Sequence, residues 1–158
     1  MAVCKHYLPG FKGTCLTIGL LNVMLAGSLF LRGLGASMAE FRVPAATVAS
    51  AHYLDALTWV YVHMIVVGVL IGALGLWVDA PLTRRRFARV LLAAHLVYAC
   101  LDFRSSDSVL GNGLYQGSAS LLPGLYCLVA CLLFLHLSFC WSAVSPAAAL
   151  ERAAEVAA

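Results

Sequence analysis

Charged side chains are scarce in this sequence. Asp, Glu, Lys and Arg make up 11% of its 158 residues, while hydrophobic residues make up 63%. Soluble domains carry about a quarter charged residues and about half apolar ones. A single domain of this length has too little interior to hide so much apolar surface from water, so a bilayer is the solvent that fits. No basic stripe is interleaved with aromatics, which leaves nucleic acid without a surface to bind. No Ser or Cys nucleophile motif, glycine-rich phosphate loop or H-E-x-x-H pair is present, so no familiar hydrolytic or nucleotide chemistry is written in the chain. No C-x-x-C pair occurs among Cys4, Cys15, Cys100, Cys127, Cys131 and Cys140. Scattered through apolar segments, these act as small packing residues rather than as a disulfide framework or zinc site. Cys127 and Cys131 lie one helical turn apart, and packing is again favoured over a soft metal.

What is present is a set of long apolar runs. About 20 such residues cross a hydrocarbon core. The spacing predicts an all-α, four-helix transmembrane bundle with spans near 14–31, 56–78, 87–101 and 121–141, and a tail over 146–158. The first run exceeds the roughly 7–15 residues of a signal-peptide core, so a retained anchor is expected. The third contains Arg89, close enough to its start to snorkel. Lys5 and Lys12 precede the first span, and Arg84, Arg85, Arg86 and Arg89 follow the second. The positive-inside rule then puts both termini in the cytoplasm of a plasma or bacterial inner membrane, with the bilayer as first partner. Gly68, Gly72 and Gly75 form a small-residue side on the second span, suited to close contact inside the bundle, with a membrane-protein partner or in a homo-oligomer.

The polar residues are few and patterned. At 100° per residue His52, Asp55, Trp59 and His63 share an arc of about 80°, opposite the three glycines. On the third span His95, Tyr98 and Asp102 share about 60°. His63 lies about 12 Å below Asp55, and His95 about 10 Å below Asp102. If the two faces meet, His63 and His95 sit at one depth, flanked by Trp59 and Tyr98, with His52, Asp55, Asp102 and Arg104 at the mouth. His136 on the fourth span has no polar companion.

Ionisable residues inside a membrane mark functional sites by default. Two imidazoles at matched depth suit haem b or a transition metal, or a small ligand, and this is the leading expectation. The main alternative is an accessory or assembly subunit of a larger membrane complex with structural histidines. A further one is a small enzyme or transporter whose cleft uses histidine as a proton acceptor.

Overall fold

The computed structural model describes residues 8–139, so Lys5, the end of the fourth expected span and the 146–158 tail lie outside the described residues. The described residues form helices and loops, with no strand among them. Four helices are long: α1 (Phe11–Arg32), α4 (Ala51–Trp77), α5 (Pro81–Ser105) and α6 (Leu122–Phe139). Two short ones, α2 (Leu34–Glu40) and α3 (Ala45–Val48), occupy the connection between α1 and α4. Gly33 ends α1 at φ 84°, a conformation that side chains resist, and its amide donates to the Phe30 carbonyl. Pro81 opens α5, where its missing N–H leaves no helical bond unmade.

Among the described residues three helical segments, not four, are long and apolar enough to cross a membrane by length and composition: Phe11–Arg32, Ala51–Trp77 and Ser118–Phe139. Helix α5 is as long, but Arg84, Arg85, Arg86 and Arg89 crowd its first three turns and Asp102 and Arg104 its last. That reduces the four expected spans to three of sufficient apolar length, the weaker third one, 87–101, being the one that falls short.

The helices pair as α1 with α4 and α5 with α6. Both pairs are antiparallel, since their contacts run in reverse order. Cys15 meets Gly75, Gly19 meets Gly68 and Gly72, and Phe30 packs edge-on to Tyr61. On the other pair, Arg89 lies over Phe139, His95 against Phe134, and Asp102 beside Cys127. The glycine side of α4 is therefore covered by α1 within the chain. A Cβ on Gly68 would stand 2.7 Å from the Gly19 carbonyl oxygen, and one on Gly75 would stand 2.7 Å from the Cys15 Cβ. Without side chains at these positions the two backbones approach closely enough for dispersion to hold them in lipid.

The two pairs join at one end and part at the other. Near the α4–α5 turn, Phe11, Cys15, Ile18, Ile71, Ala88, Leu91, Ala130, Phe134 and Leu137 make one core drawn from all four long helices. The Tyr126 hydroxyl donates to the Ile18 carbonyl at 3.2 Å and ties α6 to α1. The opposite end is capped by a second cluster around Met38, Val43 and Leu57, with Phe41 and Tyr115 in edge-on contact at 5.7 Å. The Gln116 amide donates to the Phe41 carbonyl at 2.9 Å, joining the two loops of that end. The loop after α5 folds back onto it: the amides of Asn112, Tyr115 and Gly113 donate to the carbonyls of Arg104, Ser105 and Ser106. Those carbonyls would otherwise be left open at a helix end.

Candidate functional site

Between the core and the cap the helix pairs stand apart and leave a cleft of about 570 Å³. Helix α4 supplies Trp59, Val60, His63, Met64 and Val67, and α5 supplies Tyr98, Leu101 and Asp102. Asn22 of α1 and Tyr126 and Cys127 of α6 complete the lining. Since α1 packs on α4 and α6 on α5, the helices follow an arc in which α1 and α6 form the back wall and α4 and α5 the two sides. Trp59, 76% exposed, and Tyr98, 37% exposed, stand at its lips.

The walls are mainly apolar and the polar groups few. Asn22 is buried, and its side-chain amide makes no hydrogen bond among the described residues. His63 is exposed and likewise has no partner among them. The Asp102 carboxylate is half-buried and accepts one hydrogen bond, from the Cys127 thiol at 3.4 Å. These groups are thus free to receive a ligand, and the volume lies within the range of small-molecule sites, about 300–1,000 Å³.

Of the residues singled out from the sequence, Trp59, His63, Tyr98 and Asp102 line this one cleft. His95 does not. It is 2% exposed, its Nδ1–H donates to the Leu91 carbonyl at 2.8 Å, and its ring lies 5.2 Å from that of Phe134. Its ring also meets Tyr98 edge-on at 6.1 Å, so it touches the cleft wall from behind. His52 and Asp55 are exposed on the first turns of α4, outside the lining. Arg104 faces a shallower groove on the far side of α5, with Leu96, Cys100, Phe103, Leu110 and Leu128. Among the described residues no group of three or more His, Cys, Asp and Glu is placed to hold a metal ion.

Sequence spacing missed the back wall. Asn22 is polar inside an apolar helix, which was a usable signal; Tyr126 and Cys127 carried none beyond their helix. The thiols of Cys127 and Cys131 do not act as a pair, since the second points to the Leu92 carbonyl at 3.9 Å. Comparison with known proteins supplies no precedent: no family model, curated protein or solved structure matches the chain.

Proposed function

We propose that this protein binds a small lipid-soluble molecule in the cleft between α4 and α5, as a four-span bundle with both termini cytoplasmic and the cleft in its outer half. The observation that carries the reading is the cleft itself. It is an apolar volume of about 570 Å³ into which Asn22 and His63 bring polar side chains with no hydrogen-bond partner among the described residues, and Asp102 a carboxylate with one. Polar groups short of hydrogen-bond partners are costly where lipid replaces water, and a bound molecule that hydrogen-bonds them lowers the cost.

The four-span topology is supported by packing. Helix α5 lies antiparallel against α6 from Arg89–Phe139 to Asp102–Cys127, so both helices cover the same depth. Four of its five arginines gather beside the α4–α5 turn, at the end where α1 begins with Lys12, as cytoplasmic flanks do. Since the side walls part in the outer half, the cleft mouth faces the acyl chains, and the ligand arrives from the bilayer. A haem or metal held jointly by His63 and His95 is not part of this proposal, because only His63 reaches the cleft.

A neutral solvatochromic dye, Nile red, tests the reading in nanodiscs carrying the full chain. The expected result is a saturable component of about one dye per chain above linear lipid partitioning, removed when Met64→Trp fills the cleft. Linear partitioning alone, identical in wild type and Met64→Trp, overturns the proposal.

A further inference from the structure

Charge in the cleft narrows the ligand class, an inference that rests on the ligand-binding reading above. Asp102 is the one formally charged side chain among the eleven lining residues. Its carboxylate has a single hydrogen bond, from a thiol, which is a weak donor. No Lys or Arg among the described residues pairs with it. A carboxylate withdrawn from water is stabilised by a countercharge or by several strong donors, and the described residues place neither beside Asp102. Trp59, Tyr98 and Tyr126 line the same space. Aromatic faces attract cations, more strongly where water is excluded.

We infer that the cleft takes a lipophilic organic cation, an amine or onium whose charge sits at the Asp102 carboxylate and whose apolar body lies against Met64, Val67 and Leu101. The aromatic lips favour a flat or aryl-bearing body over a simple alkyl chain. The His63 ring lines the same space and can hydrogen-bond the ligand beside the charge.

Two near-isosteric probes test this on the full chain in nanodiscs of uncharged phosphatidylcholine: methyltriphenylphosphonium and neutral triphenylphosphine oxide, titrated by calorimetry. The expected result is a cation affinity at least about tenfold above that of the neutral probe. Asp102→Asn abolishes the preference, Asp102→Glu keeps most of it, and Asp79→Asn, in the exposed ion pair at the far end, leaves it unchanged. Equal affinities for the two probes, or a preference that survives Asp102→Asn, overturn the inference. If both probes bind saturably without a preference, the cleft still binds ligands and only the cation assignment falls. If neither binds saturably and Nile red does not either, the ligand-binding reading falls with it. Should Asp102→Asn fail to fold, the wild-type cation-to-neutral ratio and Asp102→Glu decide the matter.

Discussion

Adding one methyl group at Gly19 should force α1 away from α4. An alanine Cβ there would stand 2.5 Å from the Gly68 carbonyl oxygen and 2.9 Å from the Gly72 nitrogen. Both obstacles are backbone, which cannot rotate aside as a side chain can, so the helices must separate along the seam. Overpacking of this kind costs about 1–3 kcal/mol. The better helix propensity of alanine returns at most about 1 kcal/mol. The net expectation for Gly19→Ala is a loss of about 1–2 kcal/mol, read as a lowered midpoint in reversible SDS unfolding followed by far-UV circular dichroism. Gly27→Ala is the control, because a Cβ there meets nothing within 4 Å. It should leave stability unchanged or raise it slightly. Gly68→Ala, whose Cβ would stand 2.7 Å from the Gly19 oxygen, should behave like Gly19→Ala. The double variant should cost less than the two singles added, since one separation accommodates both methyls. Gly19→Ala as stable as Gly27→Ala would refute the close α1–α4 packing, and with it the back wall at Asn22.

The two central histidines should separate by phenotype. His95→Ala leaves a cavity against Phe134 and should cost about 2–4 kcal/mol of stability, whereas His63→Ala should change stability by no more than about 0.5 kcal/mol while weakening ligand binding. Unfolding curves and dye titrations on the same preparations check this, and loss of binding without loss of stability in His95→Ala would contradict it. Tyr126→Phe removes the donor to the Ile18 carbonyl and should destabilise by about 1 kcal/mol, with little change in far-UV spectrum.

Much of the architecture was legible as hydropathy, because the bilayer demands long apolar helices whatever their neighbours. The arrangement of α4 and α5 was not. A three-residue connection, Val78–Ala80, suggests two helices lying face to face, and helical phase then sets His63 opposite His95. In the structure the glycine side of α4 engages α1 through Gly19, since two backbones gain more from close approach than two bulky faces do. Helix α5 turns to α6, where Ala88, Leu91 and His95 meet Phe134 and its neighbours. Phase along one helix states which residues share a face, and it did place Trp59 and His63 together, and Tyr98 and Asp102 together. It carries no information on what the face meets, because that depends on complementary shapes on helices distant in sequence. For the same reason Tyr126 and Cys127 were invisible as site residues.

Saturable photolabelling in a bilayer tests the central claim, a ligand cleft between the two helix pairs, most directly. A small uncharged aryl diazirine, photolysed in nanodiscs and mapped by peptide mass spectrometry, reports which side chains it occupies. The account predicts adducts on Val60, Met64 and Leu101 that saturate at low probe concentration and are displaced by excess methyltriphenylphosphonium, while exposed Val69, Leu70 and Val90 outside the cleft label in simple proportion to probe. Cleft and lipid-facing residues labelling alike, without saturation or displacement, would contradict it.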